Sequence, residues 1–335
     1  SGRAEVGLAG DDDLHFKVSA DGSTWRDALI VDRATGAVSM PFTSPGGSGG
    51  SNSTADGRLT LSPGAPITTA SVAAATTLYY TPCIGNGIQL YDGAVWAAIT
   101  FAETSISLAG TSGNTNYDVF GYDNSGTLAL ELAAWTSDTV RATAVVRQNG
   151  VLVKSGAPTR RLLGTIRINT AGQCNWVPGS LAAGGGAGIL GVSNVQNRRL
   201  VTSVVRDSTD TWTYAPGTPT WHAANNDSAT ARTSFVNCID DDAVMAQYSG
   251  FCAHSAGGIS GCGVGLDTTT TFSGTAAFNT SAQLTLIPAG YVGRPGVGWH
   301  FLSANEVSSG PTSTFAGDIG VPTLAQSGLV TTLMM

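Results

Sequence analysis

Apolar positions along this chain recur with a period of two. In "NTNYDVFGYDNSGTLALELAAW", Tyr117, Val119 and Gly121 alternate with Asp118, Phe120 and Tyr122, and after "DNSG" Leu128, Leu130 and Leu132 alternate with Ala129, Glu131 and Ala133. Alternation on both arms of a four-residue turn predicts a β-hairpin. "RATAVVRQNGVLVKSG" repeats the event around Asn149-Gly150, a pair that tolerates the positive φ of a two-residue hairpin turn. Further strands are predicted over 161–169, 198–206, 234–239, 244–253, 259–266, 282–287 and 297–305. With the hairpins, about a dozen strands fall between residue 101 and the end, at spacings that suit a two-sheet sandwich with Greek-key or jelly-roll connections.

The first hundred residues read differently. Residues 1–42 carry a strand pattern but few sizeable apolar groups, among them Phe16, Val18, Trp25, Leu29 and Val31. A three- or four-stranded unit with that inventory is marginal alone, and stacking around a symmetry axis would repair it. "TSPGGSGGSNSTADG" has almost nothing to bury and reads as a Gly/Ser linker over 43–57. Residues 58–101 are rich in Ala and Thr, with one hairpin predicted around Asp92-Gly93. So short a segment is expected to borrow its core from copies of itself. Four units result: an N-terminal β module (1–42), a linker (43–57), an oligomerising, trimeric intertwined β region (58–101) and a C-terminal, jelly-roll-like β-sandwich head (102–335).

Composition supports an all-β class. Only 12% of the residues are charged, and 44 Gly with 13 Pro favour turns over helices. A net charge of -7 and scattered Lys and Arg argue against a nucleic-acid partner, because neutralising phosphates needs clustered basic groups. No apolar run reaches the roughly 18 residues of a spanning helix, so no membrane insertion is expected. The chain opens on Ser1, which leaves an upstream segment open. The five cysteines contain no C-x-x-C, so no zinc or redox motif is expected. Cys252 and Cys262 would suit a disulfide if they faced each other across paired strands; free buried thiols are the expectation.

"GGSGG" at 46–50 matches the nucleophile-elbow pattern around Ser48, but the motif works only as a strained strand-to-helix turn, not in a linker. His15, His222, His254 and His300 are too scattered for a metal pair, and His254 reads as a hydrogen-bonded strand residue. Asp11 to Asp13 read as a solvated turn; Asp240 to Asp242 could offer oxygen ligands to a cation or carboxylates to a hydrolase, although no metal or catalytic group is assigned. "DTWTYAPGTPTW" is the better lead. Trp212, Tyr214 and Trp221 surround a Pro/Gly turn, followed by Asn225 and Asn226; aromatic faces pack on sugar rings while amides bond hydroxyls. The same aromatics could instead be core.

"GLAGDDDLHFKVSADGSTWRDALIVDRATGAVSMP" resembles a module of tail-fibre and host-specificity proteins of tailed bacteriophages and related gene transfer agents. The stretch from "RLTLSPGAPITTASVAAATTLYYTP" through "RRLLGTIR" resembles a second module that recurs in phage structural proteins. Together they cover roughly residues 4 to 42 and 58 to 167. The resemblance implies a virion protein, assembled in the bacterial cytoplasm and carried on the tail or capsid surface. It implies a homotrimer joined to other virion proteins through its N-terminal region, with a head that faces the host and attaches to a bacterial surface polysaccharide. It implies no enzyme activity and no cofactor. A capsid-attached head fibre or decoration protein is the alternative, and a polysaccharide depolymerase is a third reading. The glycine-rich stretch 180–195 stands apart from the pattern.

Overall fold

The computed structural model describes residues 2–8, 10–40, 54–179, 186–255, 257–310, 312–320 and 324–335. Most of the proposed linker, with Ser48, and the first part of the glycine-rich stretch lie outside them. The chain is all-β, as its periodicity and composition predict. Among the described residues the helical content is one 3-10 turn, Ala224–Asn226.

Residues 3–39 form a four-stranded antiparallel meander from Arg3–Leu8, Leu14–Ser19, Arg26–Val31 and Val38–Ser39. The rest builds on two principal sheets. One is fourteen-stranded and runs from the hairpin Thr115–Asn124/Thr127–Ala134 through Ala157–Ile168 to Arg232–Asn237, Gly298–Ser309 and Ile259–Leu266. The other is six-stranded, centred on Val244–His254, with Gly328–Met334, Ser313–Ala316 and Thr285–Gly293 paired to it. Their facing sides share one hydrophobic cluster that includes Phe235, Val264 and Leu302 from the first sheet and Tyr248, Phe315 and Leu329 from the second.

Turn chemistry fixes the hairpin registers. Asn124 pairs with Thr127, so the connection is Ser125-Gly126, both at positive φ (54° and 86°), with the Gly126 N–H donating to Asp123 Oδ1 at 2.6 Å. Asn149 (51°) and Gly150 (89°) close the second hairpin in the same way. Two central residues at positive φ match the right-handed twist of the arms. One strand is displaced from expectation: the segment expected at 282–287 is Thr285–Gly293. Pro288 and Gly290 read as breakers, yet Ile287, Ala289 and Tyr291 alternate inward; Pro288 sits opposite Ser249, and on its other side the strand is bridged only at Gly290, to Thr275.

The middle segment requires a correction. Residues 58–101 were expected to need copies of themselves for a core, but they pack on the head of their own chain. Leu59, Leu78, Tyr80, Ile88 and Phe101 belong to the same cluster as Val119, Leu163 and Ile166. Polar groups fix the docking: Asn194 Oδ1 accepts from the Leu59 N–H (2.7 Å) and its Nδ2 donates to the Leu59 carbonyl (3.3 Å), so one side chain imitates a strand partner. The buried Arg58 guanidinium donates to the carbonyls of Asn197 and Met335, both at 2.8 Å. Arg161 reaches the Thr54 and Gln89 carbonyls at 2.8 and 2.7 Å. The core therefore runs across residue 101 without a break. Length and composition could not show this, because the polar partners lie 72 to 277 residues away.

Candidate functional site

The best-formed cavity, about 310 Å³, opens beside the six-stranded sheet and is lined by Asp207, Thr209, Trp212, Asn225 and Tyr248, with alkyl walls from residues such as Val205 and Leu329. Trp212 comes from the strand Thr211–Tyr214, which pairs in register with Ser313–Ala316; its ring stacks on Phe315 with centroids 6.4 Å apart. Asn225 sits in the 3-10 turn with φ of 53°, a left-handed conformation that asparagine tolerates better than most residues. That turn aims the Asn225 amide at Asp207 Oδ2 (2.9 Å) and Thr209 Oγ1 (3.0 Å).

Beneath the cavity lies a fully buried carboxyl group, Glu306, on the strand Gly298–Ser309. Its Oε2 accepts from Trp212 Nε1 (2.9 Å) and from the Asn225 N–H (3.3 Å), and its Oε1 is 3.1 Å from the Tyr248 hydroxyl. One side chain thus ties together three residues of the lining. Burial pushes the Glu306 carboxyl up to about 8, the bonds from Trp212, Asn225 and Tyr248 opposing the shift only in part. At neutral pH the group is mostly the neutral acid, with the Tyr248 hydroxyl donating to Oε1 and Oε2 accepting from Trp212 and Asn225.

His222 lies opposite Glu306 on the neighbouring strand, Nε2 to Oε2 at 3.9 Å. The separation would allow an ion pair, but burial depresses the imidazole's basicity and raises the carboxyl's, so both are uncharged at neutral pH. His222 is covered by Tyr214, with ring centroids 3.8 Å apart. The thiols of Cys252 and Cys262 interact close to this layer. Both are free and buried, and they come from strands of the two different sheets rather than from a paired hairpin.

The five aromatic and amide positions singled out in the sequence do not converge on one surface. Trp212 and Asn225 line the cavity, and Tyr214 stacks behind it on His222. Trp221 alternates with His222 along its strand and so faces the other way, where it packs against Phe272 (5.2 Å) and Phe278 (6.2 Å). Asn226 is exposed at the end of the turn. Asp207, Thr209, Tyr248 and Glu306 were not anticipated. The strand predicted over 297–305 stops one residue short of Glu306. Its even positions, His300, Leu302, Ala304 and Glu306, face the core, so a carboxylate in phase with that pattern was the available signal.

The other candidates are accounted for locally. Asp242 pairs with Arg198, and His254 Nε2 donates to the Ser309 carbonyl at 3.1 Å. His15 bridges Asp27 (2.7 Å) and Asp11 (3.0 Å) in the N-terminal sheet. Among the described residues no group of three or more His, Cys, Asp or Glu is placed to hold a metal ion.

No family model and no curated protein matches the chain. Among solved structures it is similar to the infectious bursal disease virus Gx strain at 11% identity, covering 76% of this chain and 67% of that one, with a TM-score of 0.25. A glycoside hydrolase family 43 arabinoxylan arabinofuranohydrolase from Bacillus subtilis aligns at 13% identity over 94% of this chain and 65% of its own, with a TM-score of 0.19. An exo-beta-1,3-galactanase from Phanerochaete chrysosporium aligns at 9% identity over 100% and 68%, with a TM-score of 0.17.

Proposed function

We propose that this chain is a non-enzymatic virion fibre or spike, assembled from copies of itself, whose head attaches the particle to a glycan on a bacterial surface. The observation that carries the reading is the cavity of about 310 Å³ in which an indole, alkyl walls and a hydrogen-bonded set of Asp207, Thr209 and Asn225 meet. A pyranose presents apolar C–H faces and a rim of hydroxyls, and such a lining matches both. The volume lies at the small end of ligand cavities, which are about 300 to 1,000 Å³. The reading therefore assigns the site to the end or branch of a polysaccharide rather than to a long stretch of it.

The same geometry favours binding over hydrolysis. Glu306 is the one buried carboxyl beneath the site, but its two oxygens are engaged by Trp212, Asn225 and Tyr248, and it is wholly enclosed. An acid catalyst has to reach the glycosidic oxygen, and this group instead positions the cavity wall.

The test is titration of the purified protein with bacterial surface polysaccharides on an array, followed by calorimetry. Asp207→Ala and Thr209→Ala are expected to weaken binding at least about tenfold with unchanged thermal stability. Glycan binding that ignores both substitutions would remove the site assignment. Binding to purified capsids with none to any glycan would favour the decoration-protein alternative.

A further inference from the structure

Two sheet faces in this chain carry exposed apolar side chains and little charge, the N-terminal one holding Arg26 opposite Val18 and the other none. The first belongs to the N-terminal meander. Val6 pairs with Phe16, Leu8 with Leu14, and Val31 with both Leu14 and Val38, so these residues share one face, while Glu5, His15, Lys17 and Asp27 occupy the other. Val6, Leu8, Leu14, Phe16, Val18 and Val38 are between 38% and 71% exposed. Among the described residues up to Met40, only His15 and Ser19 are buried, so the sheet has no apolar core. A small sheet that buries nothing on either face does not hold together in water.

The second is the outer face of the six-stranded sheet. Leu200–Val205, Gly328–Met334, Val244–His254 and Thr285–Gly293 contain no Asp, Glu, Lys or Arg. The registers set Val292 beside Met245 beside Thr332, and Gly290 beside Gln247 beside Val330, on one face. Met245, Val292 and Val330 are 51%, 72% and 39% exposed. By contrast, the edge of the fourteen-stranded sheet at Glu131 is occupied by its ion pairs with Lys154 and Arg160.

We propose that both faces are covered by further copies of this chain, so that the assembly is held at the N-terminal sheet and again at the head. This inference rests on the fibre reading above and names the surfaces that assemble it. At about 4.8 Å between strands and 3.4 Å per residue, the strands of 6, 6, 6 and 2 residues give a footprint of roughly 330 Å² for the N-terminal face, and those of 6, 7, 11 and 9 residues roughly 540 Å² for the head face. Neither reaches the roughly 800 Å² per partner of a specific interface, but together they do. A different protein would need two flat apolar faces of its own, joined by a connection of the right reach. A copy of this chain has both. Because each chain carries a net charge of -7, two faces that bear no acidic side chain are also where copies meet with least repulsion.

The experiment is light scattering on the full chain at about 1 and about 100 μM, with Leu8→Glu, Gln247→Glu and the double variant. Leu8 and Gln247 are exposed on the two faces, so both variants are expected to keep the circular dichroism of the parent. The parent is expected at about 102 kDa, three times the 34.0 kDa of one chain. Each single variant is expected to dissociate at a concentration at least about tenfold higher than the parent, and the double variant to run as a monomer. A parent that is monomeric at 100 μM, or a double variant whose mass is unchanged, would overturn the proposal. Dissociation by Leu8→Glu with no effect of Gln247→Glu would remove the head face from it. Glycan binding by the double variant, measured per chain, reports separately on the cavity.

Discussion

Replacing Glu306 by Gln tests the central electrostatic claim about the site, because glutamine has the shape of the acid form and cannot ionise. The amide oxygen takes the place of Oε2 and accepts from Trp212 Nε1 and the Asn225 N–H, and the amide nitrogen takes the place of Oε1, where the Tyr248 hydroxyl, which donates in the parent, turns to accept. The packing is kept and only ionisation is lost. In the parent, burial raises the carboxyl from 4.5 to about 8. A group whose folded pKa is raised contributes stability in full below its unfolded value and loses it as pH rises through the folded value. The loss therefore begins near pH 4.5 and is complete just above pH 8. At about 1.4 kcal/mol per unit the shift corresponds to about 5 kcal/mol, a large part of the roughly 5 to 15 kcal/mol that keeps a domain folded.

Urea unfolding at intervals from pH 5 to pH 9 gives the comparison directly. Parent and Glu306→Gln are expected to be about equally stable at pH 5 and to diverge as pH rises, the variant becoming the more stable by several kcal/mol at pH 9. His222, whose basicity burial depresses, contributes in the opposite sense as pH falls, but it is present in both proteins and largely cancels in the difference. Parallel curves, or a parent that gains on the variant with rising pH, would refute the claim that Glu306 is a buried neutral acid.

Three further outcomes follow from the packing. Gly164→Ala would place a methyl group 2.1 Å from the Ser193 carbonyl oxygen and 2.7 Å from Leu59 Cδ1. It should force the paired strands apart and cost about 3 kcal/mol in denaturant unfolding, and a neutral result would mean that the register there is wrong. Asn194→Ala strips both backbone groups of Leu59 of their partner and should cost about 2 to 4 kcal/mol, with proteolysis beginning in the segment before Leu61; unchanged protection there would show that the middle segment docks by other contacts. The His15 imidazole, bonded first by Asp27 and then by Asp11, should titrate above 6.5 by NMR and return toward it in Asp27→Asn. Because the shift is upward, the stability it lends the N-terminal sheet is present at low pH and fades as pH rises through the folded value, so a sheet that tightens with rising pH would contradict the assignment.

The hairpins at Ser125-Gly126 and Asn149-Gly150 were legible because everything that specifies them is local. Period-two alternation sets the faces, and two residues able to take positive φ set the turn. The docking of the middle segment was not legible, for the opposite reason. Its specificity lies in Asn194, Asn197, Arg58 and Arg161, polar groups that satisfy backbone atoms of elements far away in the chain. No composition argument sees such a bond, since the same Asn in a loop would cap a turn and the same Arg would lie in solvent.

The cavity falls between these cases. Trp212 and Asn225 were found because aromatic and amide residues cluster in one short stretch, but that stretch also supplied Trp221, which the strand's own alternation turns to the opposite face from His222. What separates the two tryptophans is the buried acid that one of them meets and the other does not. Glu306 is set between the sheets by a strand whose remaining inward positions include Leu302 and Ala304, and it can be tolerated there only because it is neutral and its oxygens find donors at Trp212, Asn225 and Tyr248. The residues that shape the cavity wall are therefore the residues that keep a carboxyl group inside the core. A rise in pH that ionises Glu306 should therefore loosen the wall and the sheet packing together, whereas loss of one of its partners, whose bonds oppose the upward shift, would hold the group neutral to still higher pH.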